Sequence, residues 1–148
     1  MSGEQHAATS LCGVWRLRSA EVRCKGEKVV YPWGSTPDGY LFYTNNGQMA
    51  VLLAHAQRTP GASADLWAGS EEELARAART FIAYAGTYQV CGQTIVHQVE
   101  ISLYSNWVGS EQIRFIEDIT PEKLVLRTPL MSIAHTEGIG YLFWEKQA

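Results

Sequence analysis

Residues 94–104, which read TIVHQVEISLY, place one histidine in a row of aliphatic side chains. The segment alternates with a period of two, which predicts a half-buried β-strand. The more apolar face should point inward, and burial lowers the pKa of a histidine and keeps its ring neutral. His97 is therefore either a general base in a pocket or a core histidine bonded to the backbone or to a tyrosine. The inward face comprises Ile95, His97, Val99, Ile101 and Leu103.

The following segment, EQIRFIEDI at 111–119, carries the only charged side chain that we consider for the same pocket. If Gln112 and Arg114 face inward, the pocket gains a fixed cation that can hold a carboxylate, an enolate or a carbonyl oxygen. If they face outward, Arg114 is an ordinary solvated side chain. Alternation alone favours the outward orientation.

Three tyrosines and one tryptophan are further candidates for a pocket lining. Tyr43, Tyr84 and Tyr88 could supply hydroxyl groups, and Trp107 lies in the turn SNWVGS, where it could close a pocket mouth. Aromatic side chains of this kind also fill cores and rims, so simple packing is the alternative for each of them.

Several catalytic signatures are absent from the sequence. There is no G-x-S-x-G elbow, P-loop, Rossmann glycine pattern or H-E-x-x-H motif. The four histidines fall on separate segments and there is no Cys-x-x-Cys pair, so we expect no metal site. We also expect no cofactor.

A hairpin is predicted around Asn45-Asn46-Gly47, between YLFYT at 40–44 and QMAVLLAH at 48–55. A three-residue loop with Gly47 in the left-handed position pairs Thr44 with Gln48. A two-residue loop would shift that register, and we prefer the first arrangement. It places Leu41, Tyr43, Met49, Val51 and Leu53 on one face.

The remaining elements complete a mainly β chain with one helix. Ser70 and Glu73 form a capping box before ELARAARTFIAY, which predicts a helix near 71–83. The tail of this segment, AYAGTYQV, runs into a strand through Gly86. Short, evenly spaced strands with turn signals between them predict a single antiparallel barrel of about eight strands over residues 11–148, after a flexible arm at 1–10. The other predicted strands are 11–24, 94–104, 111–119, 123–130 and 139–146.

The composition limits the partners. Hydrophobic residues make up 46% of the 148 residues and charged residues 18%, as in a globular domain. The net charge of −3 disfavours nucleic acid and membrane partners. The N-terminus has no signal-peptide pattern and the three cysteines show no recognisable spacing, so we expect reduced thiols and a cytoplasmic location. The expected partner is a small hydrophobic molecule, and a homodimer stays open.

Four stretches of the chain resemble the small lipocalin-like domain family of bacteria and fungi. They are GVWRL, PWGSTPDGYLFYTNNGQMAVLL, EEELARAARTFIAYAGTYQV and HQVEISLYSNWVGSEQIRF, of which the run from His97 to Arg114 is the most specific. The resemblance implies an eight-stranded barrel with a ligand cavity, with Trp15 plugging its base. It also implies that His97, Asn106, Trp107, Gln112 and Arg114 work together.

Members of this family often act in natural-product pathways. The resemblance therefore implies the same setting for this chain. The first functional hypothesis is a cofactor-free isomerase or cyclase that acts on a small apolar intermediate held in the barrel. The second is a non-catalytic carrier of a small hydrophobic metabolite. The expected catalytic residues are His97, Arg114 and Tyr88. The expected ligand-binding residues are Tyr43, Met49, Val51, Tyr84, Val99, Ile101, Trp107 and Gln112.

Overall fold

The computed structural model describes residues 10–133 and 135–148, which form a mainly antiparallel β-structure. All but the last residue of the predicted N-terminal arm, 1–10, lies outside the described residues. The elements follow the order β1 (Gly13–Arg23), β2 (Val29–Val30), β3 (Asp38–Tyr43), β4 (Gln48–Ala54), α1 (Glu71–Arg79), β5 (Phe81–Cys91), β6 (Thr94–Ser102), β7 (Glu111–Ile119), β8 (Lys123–Ile133) and β9 (Thr136–Lys146).

Eight of these strands close into a barrel, which confirms the predicted fold class. Strands β3 to β9 pair in chain order, and β1 pairs with both β3 and β9. The short β2 pairs only with the end of β1, at Val22 and Arg23, so it lies beside the barrel's opening rather than within its wall. A closed barrel leaves no strand edge unpaired along its main wall.

The hairpin between β3 and β4 has the predicted register. Tyr43 pairs with Met49, the amide of Thr44 donates to Gln48 O at 2.9 Å, and Gly47 has a φ of 84°. The pairing leaves Leu41, Tyr43, Met49 and Val51 buried inside the barrel, whereas Leu53 is half-buried. A glycine suits the left-handed backbone that this turn requires.

Helix α1 begins at the predicted capping box but is shorter than expected. The amide of Glu73 donates to Oγ of Ser70 at 3.1 Å, and the Ser70 hydroxyl donates to the Glu73 carboxylate at 3.1 Å. The helix ends at Arg79, and Phe81 and Ile82, which lie within the predicted helix, begin β5 instead. Pairing of Phe81 with Ala54 and of Ile82 with Leu53 draws these residues into the barrel wall.

One end of the barrel is packed solid. Trp15 is completely buried there, and its indole N–H donates to Leu11 O at 2.8 Å, while the Lys146 ammonium lies 4.5 Å from the indole ring centre. Trp15 therefore occupies the base of the barrel, as the resemblance implied. The loops at the opposite end, together with α1, surround an opening.

Candidate functional site

A cavity of about 350 Å³ occupies the open end of the barrel. That volume lies at the lower end of the range for small-molecule pockets. Its walls come from the ends of β1, β4 and β8, the start of β5, the turn after β6 and the last residues of α1. Most of the lining is apolar or aromatic: Val22, Trp33, Leu53, Phe81, Ile82, Leu103, Tyr104, Trp107, Met131, Ile133 and Leu142.

The deeper lining combines small side chains with one guanidinium group. Ala20 and Thr128 are buried and line the cavity together with Gly140 and Arg114. The hydroxyl of Thr128 donates to Pro129 O at 2.8 Å and accepts the amide N–H of Gly140 at 2.8 Å. The Thr128 hydroxyl is thus already bonded to the barrel wall. Arg114 is therefore the polar group in this part of the cavity that can turn toward a ligand.

Arg114 lies on the inner side of β7, which corrects the orientation that alternation favoured. It pairs with the buried Ile95, and Gln112 pairs with the buried His97, so both β7 residues share the interior face of β6. Directly paired residues of neighbouring strands point to the same side of a sheet. Arg114 is half-buried, lines the cavity and donates from Nη1 to Ile113 O at 2.7 Å.

His97 lies below the cavity lining, in a hydrogen-bonded chain of three rings. The Tyr43 hydroxyl lies 2.7 Å from Nε2 of His97, and the Tyr84 hydroxyl lies 2.6 Å from Nδ1. A neutral imidazole has one donor and one acceptor nitrogen, so one tyrosine accepts a hydrogen bond and the other donates one. Both ring nitrogens are therefore occupied within the protein.

The electrostatics of this group keep all three rings neutral. Burial, and secondarily the charge of Arg114, lowers the pKa of His97 from 6.5 to about 3. Burial raises the pKa of Tyr43 well above its ordinary value and raises that of Tyr84, with the Arg114 charge opposing both shifts. None of these groups exchanges a proton near neutral pH, where general acids and bases work best.

Tyr88 lies near the opposite end of the barrel from the cavity. Its hydroxyl donates to Thr44 O at 2.8 Å and lies 3.5 Å from Sγ of Cys12, and burial raises its pKa. Tyr88 and Tyr43 pack against each other with ring centres 4.6 Å apart. The three residues that we expected to be catalytic are thus not gathered around the cavity, since Arg114 lines it and the other two do not.

Of the expected ligand-binding residues, too, some line the cavity and others do not. Trp107 lines the cavity, and its ring packs edge-on against Tyr84 at 5.8 Å. Gln112 is half-buried on the inner face of β7. The others except Ile101 belong to the packed core beneath the cavity: Tyr43, Met49, Val51, Tyr84 and Val99.

Ile101 was placed on the wrong face. Val99 pairs with Gly86 but Ile101 pairs with Ala85, so Glu100 is an extra residue that forms a β-bulge. A bulge interrupts the alternation of side chains along its strand. Ile101 is consequently 68% exposed on the outside of the barrel, and Leu103, expected on the same inner face, is 51% exposed at the cavity mouth.

Sequence reasoning also missed part of the lining. Trp33 lies in the turn-rich connection between β1 and β3, and Leu142 and Thr128 come from strands that carried no chemical signal of their own. The aromatic Trp33 beside Pro32 and Gly34 was the one local hint. The rest required knowledge of which strand ends meet at the opening.

No helix among the described residues is long and apolar enough to cross a bilayer. Within the same residues, no group of three or more histidine, cysteine, aspartate or glutamate side chains is placed to hold a metal ion.

Comparison with known proteins identifies the family. The 4'-hydroxy-3'-methoxypropiophenone carrier protein ppsC of Aspergillus oryzae (strain ATCC 42149 / RIB 40) is 36% identical over 88 residues, which span 53% of this chain and 78% of that protein. The crystal structure of a lipocalin-like protein from Bacteroides uniformis ATCC 8492 covers 93% of this chain and 99% of its own, with 15% identity and a TM-score of 0.47. A family model described as a lipocalin-like domain matches residues 12–147, and the chain therefore belongs to the lipocalin-like domain family.

Proposed function

We propose that this protein binds and carries a small, largely apolar molecule in the cavity at the open end of its barrel. The observation that carries the proposal is the cavity of about 350 Å³ with apolar and aromatic walls above a packed floor. Pockets of this kind recognise ligands chiefly through apolar contact and a few placed polar groups. The partial similarity to a protein named as a carrier of a small aromatic ketone supports the same function.

The carrier hypothesis accounts for the site better than a cofactor-free isomerase or cyclase does. A catalytic base needs a nitrogen or oxygen within reach of the substrate proton. Both nitrogens of His97 are bonded to tyrosines, and the Tyr88 hydroxyl is bonded to Thr44 O. Arg114 by itself can hold a ligand oxygen, but it does not transfer a proton because its guanidinium stays charged.

The proposal can be tested with N-phenyl-1-naphthylamine, a neutral apolar dye that fluoresces more strongly in an apolar site. We expect the folded protein to bind it at one site and to lose tryptophan fluorescence as it binds, because Trp33 and Trp107 line the cavity. The informative variant is Ala78→Trp, which adds bulk at an exposed position of α1 that also lines the cavity. Its matched control is Ala77→Trp, one residue earlier on the same exposed helix and outside that lining.

Ala78→Trp should weaken dye binding by about ten-fold or more, the equivalent of losing about 1.4 kcal/mol of contact. Ala77→Trp should bind like the parent protein. Equal binding by the parent and both variants would place the dye elsewhere. The absence of binding in the parent would remove the carrier proposal.

A further inference from the structure

Arg114 has no carboxylate partner among the described residues. The four ion pairs found there join Arg16 to Asp38, Arg18 to Glu145, Arg23 to Glu21 and Arg127 to Glu117. The one hydrogen bond from the Arg114 side chain within the same residues goes to the carbonyl of Ile113, its neighbour in the chain. A guanidinium group carries five N–H donors, so most of the donating capacity of this half-buried cation stays open to a ligand.

The groups around Arg114 are neutral and already bonded to one another. Its charge acts on Tyr43, Tyr84 and His97, whose rings are joined by the two hydrogen bonds to the imidazole nitrogens and carry no charge. They therefore offer the cation no negative charge. A partly desolvated cation without a counter-charge carries a free-energy cost that an anion can offset.

The one acidic residue in the cavity lining does not supply that counter-charge. Glu21 lies between Ala20 and Val22, which are buried inside the barrel, so its own side chain belongs to the outer face. It pairs there with Arg23, whose guanidinium lies over the ring of Tyr141. This ion pair on the outer face engages the Glu21 carboxylate with Arg23 rather than with Arg114.

A second cation lies at the mouth. Arg79 is the last residue of α1, lines the cavity and has no ion pair with any described residue. The charged side chains that line the cavity, apart from the outward Glu21, are therefore both cations, although the whole chain has a net charge of −3. Clefts with charge of one sign and low-dielectric walls concentrate ligands of the opposite sign.

Building on the proposed function, we infer that the carried molecule is an amphiphilic anion. A carboxylate, phenolate or enolate oxygen lies against Arg114, and the apolar body of the molecule fills the space between Trp33, Phe81 and Trp107. Arg114 then acts as the residue that selects anions over neutral and cationic molecules of the same shape. Planar guanidinium groups suit this task because their N–H donors match the geometry of oxyanions.

A matched pair of dyes separates this inference from the proposed function. 8-Anilino-1-naphthalenesulfonate has the skeleton of N-phenyl-1-naphthylamine with one added sulfonate, so the two differ chiefly in a permanent negative charge. Both are titrated against the parent, Arg114→Met and Arg114→Lys, after near-ultraviolet circular dichroism has shown that each variant is folded. Methionine keeps much of the side-chain length without the charge, and lysine keeps the charge without the planar donors.

Arg114→Met should lower the affinity for the sulfonate dye by about 10- to 100-fold, which is the effect usually seen when a charge-assisted hydrogen bond is lost. The affinity of Arg114→Met for the neutral dye should stay within about two-fold of the parent's. The affinity of Arg114→Lys for the sulfonate dye should lie between those of Arg114→Met and the parent. If the parent binds both dyes and Arg114→Met changes neither, or weakens both alike, the anion inference is wrong while the carrier proposal stands. If the parent binds neither dye, the carrier proposal itself fails.

Discussion

The hydroxyl oxygen of Tyr43 lies 2.7 Å from Nε2 of His97. This hydrogen bond joins β3 to β6 across the inside of the barrel. Tyr84, on β5, bonds the other ring nitrogen at 2.6 Å. These two bonds occupy both ring nitrogens of His97 in a region where the described residues offer the ring no other partner. This chain of rings explains how a histidine that is 2% exposed fits an otherwise apolar core.

His97 should make the protein sensitive to acid. Burial lowers its folded-state pKa to about 3 from 6.5, so the unfolded chain binds more protons between these two pH values. The free energy of unfolding should therefore be fully retained above pH 6.5 and fall as the pH is lowered toward 3, by up to about 1.4 kcal/mol per unit. Urea titrations at several pH values measure this slope.

His97→Gln should reduce the acid-dependent slope, because glutamine does not titrate. The comparison variant is His55→Gln, at a half-exposed position after β4, which separates the loss of His97 from the loss of any one histidine. A slope that is the same in the parent and in His97→Gln would mean that His97 does not remain neutral in the folded state.

The bond between Tyr43 and His97 can be measured with a double-mutant cycle. Tyr43→Phe leaves one nitrogen of a buried imidazole without its partner and should lower the free energy of unfolding by about 1–3 kcal/mol. The same change should cost less in a His97→Phe background, where the hydroxyl has no ring nitrogen to bond, giving a coupling energy of about 0.5–3 kcal/mol. Tyr31→Phe, at a position that is 53% exposed, is the control and should have little effect. A coupling energy indistinguishable from zero would contradict the bond.

Gly86 should tolerate no side chain. A Cβ atom at this position would lie 1.8 Å from the backbone oxygen of Gln98, on the strand that bulges beside it. We expect Gly86→Ala to lower the free energy of unfolding by more than about 3 kcal/mol, because the two strands must separate. Gly61→Ala, where a new Cβ would lie 2.6 Å from the Glu73 carboxylate oxygen that accepts the Ala62 amide, should cost only about 1 kcal/mol or less, because a side chain can move where a paired strand cannot. Thermal unfolding of both variants tests the close approach, and a stable Gly86→Ala would rule it out.

Substitution of Val99 and of Ile101 by alanine should have very different effects on stability, although the two residues are only two positions apart. Val99 is 3% exposed inside the barrel and Ile101 is 68% exposed outside it. Val99→Ala should lower the free energy of unfolding by about 1.5–3 kcal/mol, whereas Ile101→Ala should change it by about 0.5 kcal/mol or less. Ile101→Ala should also leave N-phenyl-1-naphthylamine binding unchanged. Equal losses of stability in the two variants would mean that the strand alternates through Glu100 without a bulge.

The local sequence was enough to predict the elements whose geometry depends on neighbouring residues. The turn at Gly47 needs a left-handed backbone, and the box formed by Ser70 and Glu73 satisfies backbone groups within one helical turn, so both could be identified from short stretches. The inward face of 95–99 followed from the period of a β-strand, and the even spacing of strands and turns predicted the barrel, which the resemblance also implied.

The orientation of Arg114, the exposure of Ile101 and the position of the cavity were decided only by the tertiary structure. Arg114 faces inward because β7 is registered against Ile95 and His97, and Ile101 faces outward because Glu100 bulges opposite Gly86. The cavity exists where the ends of distant strands meet α1 and the turn around Trp107. Alternation within a strand indicates which residues share a face. Pairing with the neighbouring strands decides which face lies inside the barrel and where a bulge interrupts the alternation.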